Sequence, residues 1–358
     1  KDLSQDGRVM EMLSEHNMQG LMQGYVLTGR HAMFASYEAF LQIIGSMVDQ
    51  YAKFLTQSRG VAWRGTIPSI NYILTSSGWR QDHNGFSHQN PGLIDDLLRR
   101  QSNFCDVYFP GDGNTTLVAL EKMLSSVRQI NAIVAGKTVE PRWLTPELAR
   151  KQVDAGLMIW DFASDDQPDL VMAACGDYPT KETMAAIDII KTERPEVKIR
   201  CVNISSLTTM GFGTLSNTAD QKYFDHIFTE DKPVILNFHG YPQTIKSILF
   251  NYAVDSTRFD VRGYKEIGST TTPFDMHVRN ETSRYDLAIA AFRQLGHDGV
   301  VPVQEAEHLA AKYRQKIADN TAYIIANGID LPELDAWVWP AARGQAVVEE
   351  EAWHGQTN

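Results

Sequence analysis

The densest concentration of groups able to do chemistry lies in SGWRQDHNGFSHQNPG, residues 77–92. His83 and His88 share this stretch with Gln81, Asp82 and Asn84. An imidazole can donate and accept protons near neutral pH. Amide side chains hold hydroxyls without competing for protons. The combination suits a polyhydroxylated substrate such as a sugar, with an elaborate structural turn as the alternative. It is weak as a metal site, because no Cys or Glu joins it at ligand spacing. The only large apolar residues are Trp79 and Phe86, and glycines and prolines interrupt the run. The stretch therefore reads as too polar for a core and too irregular for a helix or strand.

A second candidate is Glu15, in VMEMLSEHNMQGLMQG. A carboxylate among so many Met and Leu side chains is expected to be partly buried. An acidic residue in the first turn of a helix, favoured by the helix dipole, explains it equally well. His226, His297, His308 and His354 stand alone and read as structural. Cys105, Cys175 and Cys201 are widely spaced and odd in number, which excludes a disulfide framework and a CxxC metal site.

The elements that must position these residues follow from apolar periodicity. Phe40, Ile43, Ile44, Met47, Tyr51, Phe54 and Leu55 fall at helical spacing and predict a long helix from about Ser36. SINYILTS predicts a buried strand leading into the polar loop. Then come a helix at PGLIDDLLRR, a strand at CDVYFP, a helix after the expected cap Asn114, a strand at INAIVAG, and a helix capped by Thr145 with Pro146 at its first position. This alternation implies a parallel sheet covered on both faces. Ligands of such sheets bind beyond the carboxyl ends of the strands, which is where the polar loop lies. The acidic run DFASDDQPD, 161–169, is the expected boundary. After it the alternation restarts through LVMAACG, KIRCVNI, PVILNFHG and FDVRGYKE, and a helix pair closes it. The fold class is α/β, with two consecutive parallel-sheet domains at 1–164 and 165–340 and a mobile tail at 341–358.

The chain has 358 residues, is 43% hydrophobic and 22% charged, and carries a net charge of −11. The charge argues against nucleic acid or an anionic membrane as partner. No apolar run approaches the length of a membrane span. The first residues lack both a signal-peptide pattern and a Met, so the chain is expected to be a piece of a longer one. GFGTLS, 211–216, is a truncated dinucleotide fingerprint and carries little weight.

Three motifs in order resemble phosphoketolases, the thiamine-diphosphate enzymes related to transketolase. They are LSEHNMQGLMQGYVLTGRHAMFASYEAF, WRGTIPSINYILTSSGWRQDHNGFSHQNPG and RGYKEIGSTTTPFDMHVRNETSRYDLA, with FHGY at 238–241 in support. The resemblance runs from about residue 3 to 335. It implies a pyrimidine-binding domain followed by a transketolase-like C-terminal domain, without the family's N-terminal domain. The Mg²⁺ ligands are expected in that missing domain, so GDGN at 111–114 reads as a turn and helix cap.

The resemblance implies phosphorolytic cleavage of xylulose 5-phosphate or fructose 6-phosphate to acetyl phosphate, an aldose phosphate and water. Glu15 would hydrogen-bond the cofactor's pyrimidine ring, and Tyr37 and Phe40 would pack against it. His88, in GFSHQ, would serve substrate hydroxyls and proton transfer. Gln81 and Asn84 would hold substrate oxygens, and His83 and Lys137 would meet phosphate. A cytoplasmic homodimer or larger homo-oligomer is implied, its active site shared between subunits and this chain alone inactive. The rival readings are transketolase-type two-carbon transfer and a non-catalytic regulatory or scaffold fragment.

Overall fold

The computed structural model describes residues 4, 6–75, 77–99, 104–139, 141–212, 218–340 and 343. The end of the GFGTLS run and nearly all of the expected tail lie outside the described residues.

Ser14, extended in backbone, accepts the Asn17 amide on its hydroxyl and opens α1 (Glu15–Leu27). The chain then forms β1 (Ala32–Tyr37), a short α2 (Glu38–Leu41), a 3-10 turn at Gln42–Ile44 and α3 (Gly45–Arg59). The single long helix expected from Ser36 is therefore a strand followed by a broken helix. MFASY fits helical spacing as well as strand alternation. Parallel pairing with the next strand, Ala32 opposite Ile70 through Tyr37 opposite Thr75, decides for the strand. The first sheet continues with β2 (Ile70–Thr75), α4 (Gly92–Leu98), β3 (Cys105–Tyr108), α5 (Gly113–Ser125) and β4 (Ile130–Val134). Its order is β1-β2-β4-β3, all parallel.

The cap of α5 is Asp112, not the expected Asn114. Asp112 is the residue with extended backbone, and its Oδ1 accepts the Thr115 amide at 2.7 Å. Its Oδ2 takes the amides of Trp143 and Leu144 at 2.7 and 2.8 Å. GDGN is thus a turn and cap that also clamps a distant loop. Thr145 caps α6 (Pro146–Ala155) as expected, with Pro146 at its start and Gly156, at φ 79°, at its end.

The second sheet comprises β5 (Leu157–Ile159), β6 (Leu170–Cys175), β7 (Ile199–Ile204), β8 (Val234–Phe238) and β9 (Phe259–Arg262). Its order is β5-β7-β6-β8-β9. All pairs are parallel except the edge strand β5, which runs antiparallel to β7. The acidic run 161–169, expected as the boundary, therefore lies between two strands of this sheet. Helices α7 (Asp177–Glu193), α8 (Gln221–Phe228) and α9 (Pro242–Leu249) make the crossovers. Helices α10 (Pro273–Arg279), α11 (Arg284–His297) and α12 (Val303–Asn327) follow β9.

The two units share their apolar interior. Phe109, just past β3, packs its ring on Phe238 at 5.5 Å, and its amide donates to the Ser205 carbonyl at 2.8 Å. Both main apolar clusters draw residues from both sheets. Cys105, Cys175 and Cys201 are all buried; burial raises the Cys175 thiol well above its ordinary pKa and the Cys201 thiol to about 12. Arg343, within the expected tail, donates to the Asp188 carbonyl and carboxylate.

Candidate active site

Strands β1, β2 and β4 are neighbours and parallel, so their carboxyl ends open on one edge of the sheet. Tyr37 ends β1, the loop 77–91 leaves β2, and Gly136 and Lys137 follow β4. The start of α1 reaches the same edge: the Ser36 hydroxyl donates to Glu15 Oε1 at 3.3 Å. Glu15 is half-buried. Tyr37 and Phe40 stack, with ring centroids 5.3 Å apart and planes at 29°. The His88 ring lies 5.6 Å from Tyr37, edge-on, and 5.0 Å from Phe40. Its Nδ1 is 2.7 Å from the Ser87 hydroxyl. Lys137 Nζ sits 4.4 Å from the centre of the Tyr37 ring, a cation–π contact. Four of the eight sequence-predicted residues, Tyr37, Phe40, His88 and Lys137, are thus in contact at one edge, and Glu15 reaches the same strand end through Ser36.

The other three lie in the same loop. The Asn84 amide donates to Gln81 Oε1 at 2.7 Å. Gln81 is buried and Asn84 half-buried. His83 stands apart: its side chain is 66% exposed and its Nδ1 is 3.8 Å from Asp82 Oδ2. Burial raises the Asp82 carboxyl above its ordinary pKa, against the pull of its own amide, His83 and Arg80.

The loop is not the exposed polar segment that its composition suggests. Ser77, Trp79, Gln81, Asp82 and Gln89 are all buried, because the loop is clamped between the two units. Trp79 Nε1 donates to the His239 carbonyl at 3.0 Å, and its ring stacks on His277 at 4.5 Å with planes 5° apart. The Tyr264 hydroxyl donates to the Gln89 carbonyl at 3.2 Å, and the Thr271 amide to the Asp82 carbonyl at 3.0 Å. The buried polar side chains are satisfied largely inside the loop, Ser77 by the Trp79 amide, Gln81 by Asn84, and Gln89 by donating to the Gln81 carbonyl at 2.9 Å. The second unit supplies partners for the Trp79 indole and the loop's backbone carbonyls.

Beneath the site lies a group that the sequence reading passed over. Glu38, one residue after Tyr37, is 1% exposed and accepts the Gly78 amide on Oε2 at 3.1 Å. Its Oε1 is 2.6 Å from Nε2 of buried His239. Asp177 Oδ2 accepts the Gly136 amide at 2.9 Å, and Oδ1 its neighbour's amide at 2.8 Å. Burial disfavours the charged imidazole, but facing Glu38, and then Asp177, outweigh it and hold the His239 pKa above its ordinary value. Burial raises the Asp177 carboxyl despite His239 and the two amides. The available signal was FHGY: a histidine directly after an apolar strand, where parallel sheets place functional groups.

A carboxylate held by Ser36 at the strand end that carries two stacked aromatic rings is a donor set that fits a flat, nitrogen-bearing ring. His88 and the Gln81–Asn84 pair suit a hydroxylated molecule held next to it. Among the described residues, no three His, Cys, Asp or Glu side chains converge as a metal-ligand set. No helix of the described residues is long and apolar enough to cross a membrane.

Residues 1–126 match the family model described as D-xylulose 5-phosphate/D-fructose 6-phosphate phosphoketolase, and 137–339 match that of its C-terminal domain. A probable phosphoketolase of Bradyrhizobium diazoefficiens is 44% identical over 347 residues, which is 96% of this chain and 43% of that protein. One of Gloeobacter violaceus is 45% identical, over 94% of this chain and 42% of that protein. The chain therefore spans about two fifths of the length of the curated relatives it matches. Among solved structures, a transketolase mutant from Pichia stipitis aligns with a TM-score of 0.56 at 15% identity, over 79% of this chain and 37% of that one. A split-gene transketolase, titled an inactive beta4 tetramer, aligns with a TM-score of 0.53 at 16% identity, over 79% and 82%. At such identities the likeness is one of fold.

Proposed function

The chain belongs to the phosphoketolase family, and from that premise we propose that the complete protein cleaves a ketose phosphate, xylulose 5-phosphate or fructose 6-phosphate, with inorganic phosphate. The products are acetyl phosphate, an aldose phosphate and water, a lyase-type reaction. The observation that carries this reading is the contact of Tyr37, Phe40, His88 and Lys137 at the carboxyl edge of β1, β2 and β4, with Glu15 bonded to Ser36 at the end of β1.

Thiamine diphosphate, when bound, supplies the electron sink for breaking the carbon–carbon bond. Tyr37 and Phe40 present an aromatic face to its pyrimidine ring, and Glu15 holds a proton at a ring nitrogen. Gln81 and Asn84 orient substrate oxygens. His88, whose Nδ1 is fixed by Ser87, moves the proton that accompanies loss of water. Lys137 and His83 attract phosphate. The first unit is the pyrimidine-binding domain and the second the C-terminal domain of this family.

The Mg²⁺ ligands belong to the part of the protein beyond this chain, which alone is inactive. Large apolar side chains exposed on the first unit, among them Leu21, Tyr25, Met33 and Ile43, support a homodimer or larger assembly with a shared site. Charged sugar-phosphate substrates favour the cytoplasm. The test is an acetyl phosphate assay on the full-length protein with thiamine diphosphate, Mg²⁺, phosphate and xylulose 5-phosphate. Phosphate-dependent product that collapses in His88→Ala supports the reading. Two-carbon transfer to an aldose phosphate instead would make the protein a transketolase. No turnover by a well-folded protein would favour a scaffold.

A further inference from the structure

Three of the four segments that carry the candidate active-site side chains, all but the start of α1 with Glu15, are tied to one buried polar cluster. Glu38 directly follows Tyr37. Its other oxygen takes the Gly78 amide, three residues before Gln81. His239 accepts the Trp79 indole on its carbonyl and meets Glu38 through Nε2. Asp177 takes the amide of Gly136, the residue before Lys137. The fit at that last point is close: a Cβ on Gly136 would stand 2.5 Å from the Tyr178 hydroxyl and 3.0 Å from Asp177 Oδ2. The Tyr178 hydroxyl in turn is 2.7 Å from Thr138 Oγ1, on the far side of Lys137. Glu38 comes from the first unit, whereas Asp177 and His239 follow β6 and β8 of the second. The His239 amide is bonded to the Cys175 carbonyl at 2.9 Å, so the imidazole is seated on the central strands of the second sheet.

We propose that Glu38, His239 and Asp177 are positioning residues, through which the second sheet sets the placement of Tyr37, the loop 77–91 and Lys137. The inference rests on the proposed function for its catalytic consequence, but not for its structural one. A group that only held the units together could bond any part of the first. These bonds land within three residues of a candidate site residue in every case. Reacting groups must be held within fractions of an ångström, and misplacement by about 1 Å costs on the order of a hundredfold in rate. The second unit thereby acquires a role in the reaction without supplying a group that touches substrate.

The experiment uses the full-length protein with its cofactor. His239→Gln and Glu38→Gln are compared with the unsubstituted protein, each well below its own melting temperature. Acetyl phosphate formation and hydrogen exchange of peptides covering 77–91 and 134–139 are measured. At least a tenfold fall in kcat per folded molecule is expected, with faster exchange in those two segments and unchanged exchange in β7. Combining His239→Gln with Asn84→Ala should give a smaller loss than the product of the single losses, because both act through one loop. Unchanged kcat, or a loss that only tracks the folded fraction with exchange raised uniformly, would overturn the proposal. If the unsubstituted protein makes no acetyl phosphate, the proposed function fails, and the exchange pattern alone decides the positioning role. If His239→Gln does not fold, Glu38→Gln, which keeps an acceptor for Gly78, gives the same readouts.

Discussion

At the residue scale, Glu15 and His88 are expected to separate folding from chemistry. In the full-length protein, Glu15→Ala should lower acetyl phosphate formation by at least about a hundredfold and leave the melting temperature nearly unchanged. Glu15 is half-buried and accepts a hydrogen bond from the Ser36 hydroxyl, so little packing is lost. Unchanged turnover would remove Glu15 from the site. His277 should report on stability instead. Burial, then Arg284, Arg80 and Lys181, lower its pKa to about 4, with Glu182 opposing them. The unfolded chain takes up that proton near pH 6.5 while the folded one does so only near 4. The stability due to neutral His277 is thus complete above pH 6.5 and is lost as pH falls toward 4. His277→Asn should therefore lose less stability than the parent between pH 7 and pH 4.5 in parallel thermal melts; an equal loss would rule out the linkage.

At the element scale, the turn at Gly111–Gly113 shows how one side chain can hold two elements. Asp112→Ala removes the α5 cap and strands the amides of Trp143 and Leu144, an expected cost of roughly 2–4 kcal/mol. Asp112→Asn keeps one acceptor oxygen and should cost less, in denaturant titrations of the two variants. Much of this scale was legible in the sequence. The strands at 70–75, 130–134, 170–175 and 234–238 are apolar runs bounded by turn residues, and Thr145–Pro146 announces its helix. β1 was illegible because its last five residues, MFASY, suit either periodicity and only pairing with β2 decides. β5 is three residues long and antiparallel, too short to show a pattern. The loop 77–91 was read for its chemistry and misread for its burial: Trp79 and its carbonyl partner at His239 are 160 residues apart in the chain, and no local pattern reports such a contact.

At the scale of the whole molecule, the two sheets are joined by a shared interior and should fold as one unit. Phe109 on Phe238, Trp79 on His277 and the Glu38–His239 pair all cross between them, and both apolar clusters span the seam. Denaturant unfolding should give coincident transitions whether followed by tryptophan fluorescence or by far-ultraviolet circular dichroism. Two resolved steps would mean that the units fold independently and that the seam contributes little. Truncating the seam's central ring, Trp79→Ala, should destabilise the whole chain by about 3–5 kcal/mol rather than one half of it.

The clamped loop also constrains how such proteins can exchange parts. A recombination point between the two units would join a loop from one parent to a floor from another. Trp79 would then meet a foreign surface at His277, and Glu38 a foreign residue at 239. Hybrids should keep activity only when both sides of the seam are inherited together, so the heritable module is the seam and not the domain.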